Sequence, residues 1–89
     1  MRSRRTRSFT QRFAELPGPI QRQAREAYRL FASDPFHASL RLKQVHASSP
    51  FFAVRIGRDY RAVGLRQEDV VIWFWIGSHA DYDQLLRGL

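Results

Sequence analysis

Residues 51–82, FFAVRIGRDYRAVGLRQEDVVIWFWIGSHADY, decide the fold. They read as three strands joined by two tight turns and closed by a Gly-Ser-His corner. Residues 51–56 alternate: Phe52, Val54 and Ile56 point to one side, Ala53 and Arg55 to the other, the period of a half-buried strand. Gly57-Arg58-Asp59 supplies a glycine-containing turn, residues 60–66 a second strand, and Gln67-Glu68-Asp69 a second turn. From Val70 to Ile76 the chain is an unbroken run of β-branched and aromatic residues. Such a run fits a central strand buried on both faces or a short buried helix, and its length between turn signals selects the strand.

The first hairpin carries the chemistry. A three-residue loop at 57–59 sets Ile56 opposite Tyr60 and Arg55 opposite Arg61. Like charges placed directly opposite each other destabilise a strand pair. An anion held between the two removes that penalty, and phosphate suits the planar fork of arginine. Two solvated arginines on an exposed sheet face are the other reading of the same pattern.

Upstream, Phe9, Phe13 and Leu16 recur at helical spacing, which predicts a short helix over 9–16 capped by Ser8 or Thr10. Pro17-Gly18-Pro19 ends it, and Pro19 is suited to the first position of a second helix over 19–33. The apolar stripe of that helix is Ile20, Ala24, Ala27, Tyr28 and Phe31, and Asp34-Pro35 stops it. The connector 35–50 has turn chemistry, with room for a short strand where Leu40 and Leu42 alternate with Arg41 and Lys43. His37 and His46 lie in it without metal-ligand spacing, so no metal and no cofactor is expected. After the sheet, Ser78 followed by Asp81 resembles a capping box. The helix it starts carries Tyr82, Leu85, Leu86 and Leu89 on one side.

The chain has 89 residues, 15 basic and 8 acidic, for a net charge of +7 and no cysteine. The size suits one modest core. The charge points to a polyanionic partner such as nucleic acid or an acidic protein. Eight of the basic residues (2, 4, 5, 7, 12, 22, 25 and 29) precede residue 30, so the helical half is strongly basic. The longest apolar run is too short to span a bilayer, and the basic start lacks the apolar core of a signal peptide. The expected location is the cytoplasm, with no membrane partner.

Val54-Arg55-Ile56-Gly57, Tyr60-Arg61, the hydrophobic strand and Ile76-Gly77-Ser78-His79 resemble, in that order, the C-terminal half of RelE/ParE-superfamily toxins. These are the toxin partners of type II toxin–antitoxin modules. Phe9 and Phe13 before Leu16-Pro17, the long second helix, and Leu42-Lys43 extend the resemblance to nearly the whole chain. It implies an α+β fold in one domain over 1–89. A two-helix hairpin packs on a small, mostly antiparallel twisted sheet, with a first strand near 4–8 and a short C-terminal helix.

The resemblance also implies a cognate antitoxin and one of two targets. The RelE branch cleaves mRNA on the ribosome with the 2′-hydroxyl as nucleophile and no metal. Carried over, Arg55 and Arg61 are its cations around the scissile phosphate, and His79 its proton-transfer group. Tyr82 joins them as a fourth catalytic residue; Lys43, Arg58 and Asp83 bind RNA or orient these groups. The ParE branch binds and inhibits DNA gyrase without nuclease residues. A degenerate toxin that only binds its antitoxin is the third reading. Two departures bear on the choice. Ala53 stands where well-known RelE-type members carry lysine, and the tyrosine of their pattern falls near Leu85 rather than Tyr82.

Overall fold

The computed structural model describes residues 1–89. The elements in chain order are β1 (Arg2–Arg5), α1 (Arg7–Ala14), α2 (Gly18–Ser33), a single 3-10 turn (Ala38–Leu40), β2 (Lys43–Gln44), β3 (Phe51–Ile56), β4 (Tyr60–Gln67), β5 (Val70–Ser78) and α3 (His79–Arg87). The strands form one sheet in the order β1-β5-β4-β3-β2. Only the β1–β5 pair is parallel; the other three are antiparallel. This is the α+β arrangement expected from the sequence.

The N-terminal boundaries differ from the expectation. The first strand covers Arg2–Arg5 rather than 4–8, because α1 starts at Arg7, earlier than its apolar spacing suggests. Thr6, not Ser8 or Thr10, is the cap, its hydroxyl accepting from the Phe9 amide at 3.1 Å. A side chain that satisfies an orphan amide fixes a helix start more firmly than periodicity does. Pro17-Gly18-Pro19 breaks the chain as anticipated, but Pro19 is the second helical residue and Gly18 the first. The exposed carbonyls at the end of α1 are taken by α2: the Gln21 amide donates to Phe13 O at 3.1 Å and Leu16 O at 3.2 Å. The second hairpin turn is shorter than read, with Gln67 inside β4 and only Glu68 and Asp69 left for the turn. Gly57 turns the first hairpin at φ 57°, where a Cβ would strike the Gln23 side chain.

One irregularity divides the sheet's two faces. Gly64 pairs with Trp73 and Val63 with Trp75, which leaves Phe74 as an extra residue in β5. A bulge of this kind shifts the side-chain alternation by one. Val71, Trp73 and Ile76 therefore join Val54, Ile56 and Ala62 on one face, with Phe9, Ala24 and Phe31 of the helices packed over them. Phe31 meets Trp73 edge-to-face at 5.2 Å. Trp75 turns to the other face with Ala53 and Val63, and Tyr82, Leu85 and Leu86 of α3 cover it. The last helix thus docks on the body through Tyr82, Leu85 and Leu86, on the face opposite the helical hairpin. Leu89, expected on the same stripe, lies beyond the end of α3 at Arg87 and is 38% exposed.

The hairpin α1–α2 does not close over the sheet completely. A groove of about 370 Å³ runs between the helices, floored by Val54, Ala62 and Trp73 and rimmed by Arg5, Arg25 and Arg29. Tyr28, assigned to the buried stripe of α2, stands at this rim 37% exposed, with the Arg5 guanidinium 5.4 Å from its ring centre.

Gly64 packs closely against β5. A Cβ there would lie 2.6 Å from Val71 Cγ1 and 2.9 Å from Trp73 Cε3. Gly64→Ala is expected to lower unfolding free energy by about 1–3 kcal/mol, the usual cost of overpacking a core. Denaturant unfolding checks this, and an unchanged midpoint contradicts it.

Candidate functional site

The predicted register of the first hairpin holds: Arg55 lies opposite Arg61 and Ile56 opposite Tyr60. Arg61 in turn lies opposite Gly77 of β5. Arg55, Arg61 and Gly77 therefore form one row across three strands, on the face that carries α3. Each guanidinium is held by its own hairpin. Arg55 Nε donates to Gly57 O at 2.8 Å, and Arg61 Nη1 donates to Tyr60 O at 2.8 Å. Neither arginine meets a carboxylate. The only contact between a basic side chain and a carboxylate in the molecule sets His79 Nδ1 3.3 Å from Asp83 Oδ2. Two cations on neighbouring strands without a counter-charge are able to hold an anion.

His79 opens α3 at the end of this row. Ser78 pairs with Tyr60 and its hydroxyl caps α3 by accepting from the Asp81 amide at 3.2 Å, the serine half of the capping box read from the sequence. The His79 amide donates to Asp59 O at 2.7 Å, which ties the corner to the 57–59 loop. The imidazole is exposed, 6.0 Å ring to ring from Tyr82 and one helical turn from Asp83. Arg58, exposed in the loop, sits beside the same corner, and its carbonyl accepts from Arg61 Nη1 at 3.4 Å.

Lys43 reaches this face from the opposite side. It pairs with Ala53, so its side chain shares the face of Ala53 and lies diagonal to Arg55. Diagonal neighbours of this kind are about 7–8 Å apart. The small side chain of Ala53, 2% exposed, thus has an exposed lysine beside it on the next strand.

Tyr82 is different from its neighbours. It is 3% exposed, its ring packs 6.3 Å from Trp75, and its hydroxyl is buried without a hydrogen-bond partner. Burial raises its pKa above the ordinary 10.0, Arg61 pulls it back and Asp83 pushes it up further. His37 and His46 stay apart from all of this; His37 caps the 3-10 turn by accepting from Ser39 N at 3.1 Å.

The structure brings Arg55, Arg61, His79, Tyr82 and Asp83 to one end of one sheet face, with Lys43 and Arg58 at its margins. One further side chain reaches that face which the sequence did not single out. Arg12 of α1 crosses the open edge of β5, donates from Nε to Ile76 O at 2.9 Å and lies 4.9 Å over the Trp75 ring. In the sequence it is one of eight early basic residues, with no local pattern to mark it.

The ParE-like toxin domain model matches residues 19–84. The RelB–RelE antitoxin–toxin complex from Methanococcus jannaschii contains a chain of similar fold, 14% identical, covering 92% of this chain and 96% of that one at a TM-score of 0.74. YafQ from E. coli is similar over 92% and 98% of the two chains at 10% identity and a TM-score of 0.73. A chain of the RelE–RelB complex from Pyrococcus horikoshii OT3 aligns at 14% identity over 88% and 93%, with a TM-score of 0.70. No curated protein sequence matches the chain.

The orphaned Tyr82 hydroxyl gives a stability test. A buried polar group without a partner costs about 1–3 kcal/mol, so Tyr82→Phe is expected to hold or raise stability by up to that amount. The raised pKa adds a pH signature. The fold favours the neutral phenol, so this contribution is complete below the unfolded value of 10.0 and is lost as pH climbs through the raised folded value. Thermal melts above pH 10 should fall less steeply for Tyr82→Phe than for the wild type. A destabilised variant with an unchanged alkaline limb contradicts the assignment.

Proposed function

The chain belongs to the ParE-like toxin domain family, and from that premise we propose that it is the toxin of a type II toxin–antitoxin module that cleaves mRNA on the ribosome. The observation that carries the reading is the row Arg55–Arg61 with His79 at its end, two anchored guanidiniums without a carboxylate beside an exposed imidazole. A gyrase-binding toxin needs no such constellation. The domain spans 1–89, acts in the cytoplasm and uses no cofactor. No helix is long and apolar enough to cross a membrane.

The chemistry follows from the groups present. The scissile phosphate lies against Arg55 and Arg61, which stabilise the negative charge that grows on its oxygens. Asp83 beside Nδ1 favours a proton on that nitrogen, which leaves Nε2 with a free lone pair. His79 takes the proton of the 2′-hydroxyl, and Asp83 stabilises the imidazolium. The 2′-oxygen bonds to phosphorus, the bond to the 5′-oxygen breaks, and the departing oxygen is protonated from solvent. The products are a 2′,3′-cyclic phosphate and a 5′-hydroxyl. Lys43 and Arg58 hold flanking phosphates. Lys43 also supplies, from the neighbouring strand, the positive charge that Ala53 does not. Tyr82 is buried against Trp75, so its own contact with substrate requires α3 to shift.

The antitoxin partner fits the groove between α1 and α2, apolar at its floor and ringed by Arg5, Arg25 and Arg29. An acidic amphipathic segment matches both features. Its affinity is expected to fall as salt rises, because exposed ion pairs are screened. An affinity flat from low to high salt, measured by calorimetry, points to a purely apolar interface.

The function is tested in a translating extract, with mRNA 5′ ends mapped by primer extension and gyrase supercoiling assayed in parallel. Cleavage without loss of supercoiling is expected. The reverse result makes the protein a gyrase-binding toxin, and Ala53 in place of lysine is the residue that favours that outcome. His79→Gln should slow cleavage by about 10²–10⁴-fold, the range of general acid–base catalysis. Cleavage by the variant at the wild-type rate makes His79 a corner residue only.

A further inference from the structure

β1 stops at Arg5, paired with Trp73, while β5 continues to Ser78. The outer edge of β5 beyond Trp73 therefore has no neighbouring strand. Two groups from the N-terminal segment occupy it instead. The Thr6 amide donates to Trp73 O at 3.0 Å, and Arg12 Nε donates to Ile76 O at 2.9 Å. The second contact carries a cation around the edge. α1 lies on the face of Trp73 and Ile76, yet the Arg12 guanidinium lies over Trp75, whose ring is on the opposite face.

Its position on that face is fixed by Gly77. A Cβ on Gly77 would lie 2.8 Å from the Trp75 ring and 3.1 Å from an Arg12 terminal nitrogen. Gly77 is the residue opposite Arg61. The third place in the row Arg55–Arg61–Gly77 thus has no side chain of its own, and the edge of Trp75 and the Arg12 guanidinium fill the space. Neighbouring strands are about 4.8 Å apart, so Arg12 stands one strand away from Arg61, on the side away from Arg55. Arg12 resembles the other two in how it is held. One N–H is spent on a backbone carbonyl, and no carboxylate neutralises it. Stacking on an indole leaves the guanidinium edge, with its remaining donors, free to bond.

We infer that Arg12 is the third cation of the anion site, placed by the Trp75 ring and the bare Gly77 to bind phosphate beside Arg61. The inference rests on the row Arg55–Arg61 being an anion site, as proposed above, and extends it across the sheet edge. It links the helical hairpin to the opposite face, because Arg12 belongs to the same helix as Phe9 and Phe13. For a single-stranded substrate it adds a phosphate contact next to the scissile one, on the α1 side.

The test uses the whole protein and inorganic phosphate as probe. The guanidinium NMR resonances of Arg12, Arg55 and Arg61 are followed as phosphate is added at constant ionic strength. All three should shift together with one dissociation constant. Arg12→Gln should weaken that constant by about 2–5-fold, the worth of one exposed ion pair, and Arg12→Lys should recover part of it. Thermal melts on the same samples report the loss of the Ile76 contact separately. If Arg55 and Arg61 shift and Arg12 does not, the inference is overturned and the two-arginine site stands. If none shifts, both fall. If all three shift in a protein that cleaves no RNA, Arg12 keeps its role and the nuclease reading fails instead.

Discussion

A single extra residue, Phe74, sets which side chains meet on each face of this sheet. Strand alternation is strict, so without the bulge Trp75 and Gly77 would point the same way as Val71 and Trp73, into the helical hairpin. The core under α1 and α2 would then be asked to hold a second tryptophan, and α3 would lose the indole on which Tyr82 packs. The bulge sends one tryptophan to each face, so that two small clusters are built from one strand. It also turns Gly77 toward Arg61 and exposes a strip of sheet on which a guanidinium can lie. Bulges recur beside functional sites for this reason: they re-aim side chains without changing the topology.

Much of the fold was legible in the sequence wherever a short-range pattern decides the structure. The alternation of Phe52, Val54 and Ile56 and the three-residue loop at Gly57 placed Arg55 opposite Arg61, and Ser78 with Asp81 announced the cap of α3. The features that were not legible depend on contacts between distant segments. β1 is held in place by pairing with β5, and its length is limited by the Thr6 cap, which competes with any longer strand. The run from Val70 to Ile76 conceals its bulge because an unbroken apolar strand has no alternation to interrupt. Arg12 is placed by a carbonyl 64 positions away. Lys43 was within reach as a residue of interest, but its place beside Ala53 comes only from the register of β2 on β3.

The distribution of charge sets this molecule apart from one that uses ion pairs for stability. Fifteen basic residues accompany eight acids, yet no arginine or lysine is paired with a carboxylate, and no charged residue is buried. Several guanidiniums lie over aromatic rings instead, Arg5 on Tyr28, Arg12 on Trp75, Arg25 on Phe13 and Arg66 on Phe52. Stability then comes from the two apolar layers and the sheet, while the cations keep their electrostatic capacity for a partner. A surplus of this kind suits both partners proposed above, an acidic protein and a phosphate backbone.

In the proposed function the Arg55–Arg61 row and His79 act on a phosphodiester through the neighbouring 2′-hydroxyl. The chemistry of the new RNA ends reads this directly. After incubation of the protein with translating ribosomes, the upstream fragment should end in a 2′,3′-cyclic phosphate, or the 3′-phosphate formed when it opens, and the downstream fragment should begin with a 5′-hydroxyl. An upstream 3′-hydroxyl with a downstream 5′-phosphate would contradict the account, because those ends require water rather than the 2′-oxygen as the nucleophile.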